Sequence, residues 1–197
     1  MLHDAIALLR DPALTWSQRR TRIQGWTGAD AACADTVTGA QRIGPAVCAV
    51  GGLAGAALAS PLLLGVFAVT ALVGTFARNH PFEWVYNRIA ADRGRLQMPP
   101  NRAAKRLGCA IGTVFLGGAA VAMVSGLTTL GVVLAVVLGL TAAFVAVTRI
   151  CVPSLLFTVL WGADRAAAAT LKAAATRRSQ VTNPETGIRT TAATGDG

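Results

Sequence analysis

The chain has 197 residues, of which 53% are hydrophobic and 14% charged, and its mean hydropathy is +0.53. A soluble domain normally carries about a quarter of its residues as charges, so this composition argues against an ordinary soluble globular protein. The net charge of +9 would suggest nucleic-acid binding in a soluble protein. Here the basic residues flank long apolar stretches, which membrane topology explains more simply, and we expect no nucleic-acid partner.

Residues 1–42 are predicted to form a polar, cytoplasmic N-terminal segment with a peripheral helix. Thr15, followed three residues later by a glutamine, is typical of a capping box that opens a helix toward Trp26. Trp16 and Trp26 stand beside several arginines, which suits a helix on an anionic membrane surface and equally a helix packed on the rest of the protein. No cleavable signal peptide is expected, because the first apolar stretch begins only at Ile43.

Two long apolar stretches without a single charge follow, at 43–77 and 107–148. Each is too long for one membrane span and suits two, since a span needs about 20 apolar residues. Ser60 and Pro61 divide the first stretch, and Ser125 and Gly126 divide the second. The sequence therefore predicts an all-α integral membrane four-helix bundle of two transmembrane hairpins, with residues 43–161 as the membrane domain.

The basic residues predict the orientation of this bundle. All eighteen lie before the first apolar stretch, between the two stretches or after the second. Two spans separate each group from the next, so the three groups share one side, which the positive-inside rule assigns to the cytoplasm. We therefore expect a multi-pass protein of the cell inner (plasma) membrane with both termini cytoplasmic. Residues 162–197 are predicted as a helix over 166–175 followed by a disordered tail.

Small residues at four-residue spacing let membrane helices approach closely. Such pairs are Gly51 with Gly55 and Gly108 with Gly112. We favour packing within the bundle over a docking face for another membrane protein or a second copy of the chain. We expect the lipid bilayer to be a partner of this protein. Aromatic side chains often lie at the headgroup level of a bilayer. Those predicted at this interface are Phe82, Trp84, Tyr86 and Trp161.

The predicted topology brings cysteine and histidine to one depth, which their spacing along the chain hides. Cys48, His80, Cys109 and Cys151 each lie near the cytoplasmic end of a span. Thiols and an imidazole are weak candidates for a soft or borderline metal site. A thiolate beside Arg149 could also be reactive, because a nearby cation lowers a thiol pKa. We favour the alternative that these cysteines are buried packing residues, and we predict no metal or other cofactor.

A redox role would centre on Cys151, with Ser154 and His80 as its neighbours. No Cys-x-x-Cys pair is present, so a dithiol exchange has no local resolving partner. Ser154 places a hydroxyl where such a motif would have its second thiol. This arrangement permits a reaction of one thiol.

The order of these motifs resembles a bacterial family of four-span membrane proteins known only as domain of unknown function 4395. The resemblance rests on two spans, His80-Pro81-Phe82, a basic loop ending in Pro99-Pro100, two more spans and then Cys151, and it covers 43–161. Members of that family often carry a second cysteine three residues after the first. Ser154 stands there in this chain, which departs from any dithiol role implied by the family. The resemblance implies a fold and no activity.

Three functions remain open from the sequence. The one we favour is a non-catalytic scaffold or accessory subunit of a membrane assembly, because the spans present small-residue faces, catalytic groups are absent and the cytoplasmic arms are polar. The second is a membrane thiol protein in sulfur or redox chemistry at the cytoplasmic face. The third is a carrier of small apolar solutes. Whether the protein is an enzyme is left undecided, with the balance against it.

Overall fold

The computed structural model describes residues 10–37, 39–170 and 172. These residues form helices and no strand, which confirms the all-α part of the predicted fold. In chain order the elements are α1 (Trp16–Ile23), α2 (Gly28–Thr36), a 3-10 turn (Ala40–Arg42), α3 (Ile43–Ala57), α4 (Pro61–Phe76), α5 (Pro81–Asp92), α6 (Ala103–Val124), α7 (Thr128–Thr148), α8 (Val152–Trp161) and α9 (Ala163–Ala166).

The apolar helices α3, α4, α6 and α7 form two hairpins. In the first turn the Oγ of Ser60 accepts the N–H of Leu63 at 3.3 Å. Pro61 takes the first helical position of α4, where its missing N–H breaks no helical hydrogen bond. The second turn contains Gly126 with φ +82°, a conformation that glycine adopts at little cost. Both turns lie where the sequence predicts them.

Two of the described helices are long and apolar enough to cross a membrane, α6 with 22 residues and α7 with 21. The pair α4 and α5 passes the same test only together, and it is bent by 69° at the break between them, so up to three crossings are possible. Helix α3 has 15 residues, or about 22 Å, against an apolar bilayer core of about 30 Å. Length and composition thus agree with the predicted spans of the second hairpin, while four spans remain a prediction.

Glycines allow α3 and α4 to pack closely within the first hairpin. A β-carbon on Gly51 would come within 2.3 Å of the Phe67 ring, and one on Gly55 within 2.4 Å of Leu64. Gly51 and Gly55 therefore face α4 inside the protein. Near the hairpin turns a closed core fills the space between the helices, built from Ala56, Leu64, Ala68, Leu116, Ala119, Met123 and Ala135.

The prediction of a loop between the hairpins is wrong for α5. Pro81 occupies the first position of this helix, and a Glu83 carboxylate oxygen accepts the backbone N–H of His80 at 3.0 Å. Both features are helix start signals, and they outweigh the polar composition of the segment. Helix α6 also begins earlier than the predicted Leu107. Arg106 enters its first turn because its guanidinium donates to the carbonyl of Phe76 at 3.1 Å.

The N-terminal segment packs on the protein. The predicted capping box is present, since Thr15 and Gln18 bond reciprocally at the start of α1. Ile23 is 2% exposed and Trp26 is 1% exposed, so both face the protein interior, while Trp16 remains half-exposed. These positions favour the packed alternative over a helix lying on a membrane surface.

The predicted C-terminal helix over 166–175 does not run through positions 167–170, although residue 172 is helical. Helix α9 ends at Ala166, and the chain then turns so that the carbonyl of Ala168 accepts the N–H of Ala103 at 2.8 Å. This contact with the start of α6 outweighs the helix propensity of the alanine run. Positions 171 and 173–175 of the predicted helix, and the predicted disordered tail, lie outside the described residues.

Candidate functional site

A cavity of about 150 Å³ lies at the end of the hairpins away from their turns. Its walls are apolar and come from the ends of α3, α4, α6 and α7, with Ala71, Leu116, Leu138 and Val145 among them. The closed core near the turns forms its floor. The N-terminal segment, α5 and the start of α8 supply its rim. The cavity is therefore a pocket at one end of the hairpins.

Three thiols and one imidazole meet at this cavity, namely those of Cys48, His80, Cys109 and Cys151. The Sγ of Cys109 and the Nε2 of His80 both lie 3.2 Å from the point where a β-carbon of Gly74 would stand. A β-carbon on Gly108 would lie 3.6 Å from the Sγ of Cys151. Residues that are 103 positions apart along the chain thus share one pocket.

All four cysteines are free thiols. Cys33 is separate from the other three: it does not line the cavity, and its thiol donates to the carbonyl of Gln97 at 3.1 Å. Among the described residues, no group of three His, Cys, Asp or Glu side chains is arranged to hold a metal ion. The pocket thus brings thiols together with an imidazole.

His80 is held at the first position before α5 and is 6% exposed. Burial lowers the pKa of its imidazole, and the nearby Glu83 carboxylate partly opposes this effect. The ring is neutral at pH 7 and carries one nitrogen that can accept a proton. Its buried Nδ1 is turned toward the backbone N–H of Glu83 as in a capping box, although it forms no hydrogen bond within the described residues. The Nε2 lies on the same side as the Cys109 Sγ, where the ring can exchange a hydrogen bond with a group in the pocket.

An ion pair between Lys105 and Glu83 forms one side of the rim. The Lys105 ammonium also lies 4.8 Å from the ring centroid of Trp26, whose indole N–H donates to the carbonyl of Pro100 at 2.9 Å. A buried ion pair persists only when its remaining donors and acceptors have partners, and this ring supplies one to Lys105. The pair fixes α5 and α6 against the N-terminal segment.

Arg149 forms the opposite side of the rim, between α7 and α8. Its backbone is left-handed, with φ +61°, and its carbonyl accepts the side-chain amide of Gln24 at 3.4 Å. Its Nε is buried and has no hydrogen-bond partner within the described part of the chain. Arg149 thus lines the same pocket as the thiols, and no carboxylate in the described part of the chain forms an ion pair with it.

Ser154, a candidate neighbour of a redox thiol in the sequence, does not line the cavity. It is fully buried, and its hydroxyl donates to the carbonyl of Ala104 at 3.1 Å. This bond joins α8 to α6, so the hydroxyl stabilises the packing that brings Cys151 to the rim.

The remaining predicted residues lie at different places. Gly108 and Gly112 line the cavity, where a β-carbon on Gly112 would be 3.7 Å from Ala71. On α5, Trp84 is 66% exposed while Phe82 and Tyr86 are half-buried. Trp161 packs on Phe157 with ring centroids 4.9 Å apart. Whether these aromatic rings lie at a bilayer interface stays a prediction.

Sequence analysis did not identify the polar rim. Glu83, Lys105, Gln24 and Gln41 line the cavity, and they come from three segments that local spacing cannot connect. One signal was available: Glu83 follows His80 by three residues, the spacing of a capping box, which would have predicted both α5 and the buried carboxylate. Lys105 and the two glutamines give no comparable signal.

The fold and the pocket define an all-α protein with apolar helices long enough for a membrane and with a cavity that presents thiols at one end. Residues 38–161 match the family described as Domain of unknown function (DUF4395), and the chain belongs to this family. No curated protein and no solved structure matches the chain.

Proposed function

We propose that this chain is a multi-pass inner-membrane protein that carries out thiol chemistry in a pocket at its cytoplasmic end. Three arguments support it: the length and apolar character of the hairpins, the grouping of basic residues, and the three thiols around one cavity. The last of these carries the proposal, because it assigns a chemistry as well as a location.

The membrane part of the proposal rests on the surface of the apolar helices. Helix α4 exposes Leu62, Val66 and Phe76, with 79%, 55% and 75% of each residue accessible. Helix α7 exposes Leu140 and Val147 in the same way. Apolar faces of this extent are costly in water and are expected against lipid. We propose that α3, α4, α6 and α7 all cross the bilayer. The helices of the first hairpin are shorter, and the polar turns next to them would bring their ends to the headgroup level.

The thiol part of the proposal rests on position within the helices. Cys48 and Cys109 lie inside α3 and α6, and Cys151 lies in the short link before α8. Cys151 is therefore the thiol closest to the cytoplasm, with the imidazole of His80 at the same pocket. A thiolate at Cys151 can attack a sulfur of an incoming compound, and the deeper thiols can act on the product. The scaffold and carrier functions remain predictions, because the contacts in the pocket neither support nor oppose them.

The test is a competition between thiols that share one pocket. We would block Cys151 in native membranes with a bulky maleimide and then apply methyl methanethiosulfonate, which is small and enters membranes. Blocking the rim should slow modification of Cys48 and Cys109 while leaving Cys33 unchanged, because Cys33 lies outside the pocket. Mass spectrometry of each cysteine gives the rates.

A second measurement addresses function directly. Cells are quenched in acid before and after disulfide stress, and the state of each cysteine is read after differential alkylation. A thiol protein should show Cys151 partly converted to a disulfide or persulfide, with Cys33 as the internal control. Equal, fully reduced states of both cysteines under both conditions would contradict a thiol function and favour packing.

A further inference from the structure

The rim of the cavity carries a net positive charge. The Lys105 ammonium and the Glu83 carboxylate neutralise each other. Arg149 adds a charge that no carboxylate among the described residues pairs with, and its buried Nε is without a hydrogen-bond partner among them. Arg149 as a whole is partly buried, and an anion bound at the rim would pair with its charge.

Two further arginines strengthen this field. Arg20 donates to the carbonyl of Thr148 at 2.7 Å, which brings it to the end of α7. Burial, Arg149 and Arg42 all lower the pKa of Arg20, so the three guanidinium groups act on one another. Asp35 opposes them, but its carboxylate also accepts the hydroxyl of Ser17. Around the rim of the cavity, the negative charges of the acidic groups do not balance the positive charges of the basic ones.

The backbone of Arg149 directs this charge toward the thiols. A helix that ends in a left-handed residue usually ends in glycine or asparagine, because other side chains are strained there. An arginine at this position is costly, and its side chain lines the cavity in which Cys151 also lies. Strained residues that persist are concentrated at functional sites.

We propose that the pocket selects small anionic thiols and disulfides, with Arg149 binding their acidic group and Cys151 reacting with their sulfur. The acidic group is a carboxylate, a phosphate or a sulfonate, since a guanidinium pairs with each. A cavity of about 150 Å³ has the volume that accommodates a benzene-sized group, so the remainder of the ligand is small and apolar. This inference rests on the proposed thiol function.

The reaction balances without another component. The Cys151 thiolate attacks one sulfur of an anionic disulfide, a new S–S bond to Cys151 forms, and the other half leaves as a thiolate. The disulfide is the oxidant, and Cys151 is oxidised to the mixed disulfide. A second anionic thiolate reverses the step by attacking the same bond.

The test compares two reagents of similar size and opposite charge on the full chain. These are 2-sulfonatoethyl methanethiosulfonate, an anion, and 2-(trimethylammonio)ethyl methanethiosulfonate, a cation. Each transfers its thioalkyl group to a cysteine thiolate and releases methanesulfinate. We expect the ratio of anion to cation rates at Cys151 to exceed that at Cys33 by about tenfold, and to fall as salt is added.

Variants at Arg149 assign the selectivity. Arg149→Gln should bring the Cys151 ratio most of the way to that of Cys33, since Arg20 and Arg42 remain, and Arg149→Lys should retain most of the wild-type ratio. The wild-type comparison needs no variant, so misfolding of Arg149→Gln leaves the test intact. Equal rates of both reagents at wild-type Cys151 would overturn the anionic substrate class and leave the thiol function standing. A Cys151 that reacts with neither reagent, while Cys33 reacts with both, would overturn the thiol function itself.

Discussion

Arg149 joins a strained backbone to a side chain that has no ion-pair partner among the described residues, and the two effects can be separated by mutation. Arg149→Gly removes the left-handed strain together with the charge, whereas Arg149→Ala removes the charge and keeps the β-carbon. We expect the glycine variant to be more stable than the alanine variant by about 1 kcal/mol. Thermal unfolding in detergent measures the difference, and equal midpoints would show that the backbone is not strained.

His80 makes the stability of the fold depend on pH. Burial lowers its pKa, so the unfolded chain binds a proton near pH 6.5 while the folded chain does not. The free energy of unfolding must then decrease as the pH falls below about 6.5. His80→Gln cannot titrate, and we expect its unfolding midpoint to drop less between pH 7.5 and pH 5.5 than that of the wild type. Parallel drops in the two proteins would contradict this assignment.

The sequence indicated which residues could do chemistry more clearly than what surrounds them. The predicted topology alone placed Cys48, His80, Cys109 and Cys151 at one depth, because apolar stretches and charges indicate where the helices end. Their lateral arrangement was not predictable, since depth does not fix which helix lies beside which. The counterion of Lys105 was equally hidden, because Glu83 is 22 residues away and belongs to a helix that the sequence did not predict.

At the scale of helices, glycine contacts decide how closely α3 and α4 approach. Gly51→Ala would push a methyl group into the ring of Phe67, and we expect a loss of about 1–3 kcal/mol. Gly65→Ala is the matched control, because no atom lies within 4 Å of its β-carbon position. Adding Phe67→Leu should recover part of the loss in Gly51→Ala and none in Gly65→Ala. Unfolding midpoints in one detergent provide the comparison.

The elements that followed their sequence signals are those with strong local rules. Ser60 and Pro61 mark the start of α4, and Thr15 opens α1 as a capping box predicts. The segment that ends at Ala166 did not follow its propensity, since contacts with α6 decide where it stops. Local chemistry therefore predicts where these helices begin better than where they end.

For the whole molecule, the proposed topology predicts which surfaces a membrane-impermeant maleimide can reach. In a chain without its native cysteines, Ser60→Cys and Ser125→Cys should each react in intact spheroplasts, because both hairpin turns would face outward. A chain that retains only Cys33 should react only after the spheroplasts have been permeabilised. Labelling of Cys33 in intact spheroplasts would contradict cytoplasmic termini, and silence at both turns would contradict four crossings.

The rim also joins distant parts of the chain, and this has a consequence for biosynthesis. Gln24 and Arg20 bond to the end of α7, across 125 and 128 residues, and the carbonyl of Ile23 accepts the hydroxyl of Thr158. During translation the N-terminal segment therefore cannot form these hydrogen bonds until α8 has left the ribosome. Before that moment Cys48 and Cys109 have no finished pocket around them, so the proposed thiol reaction would begin only after α8 has docked.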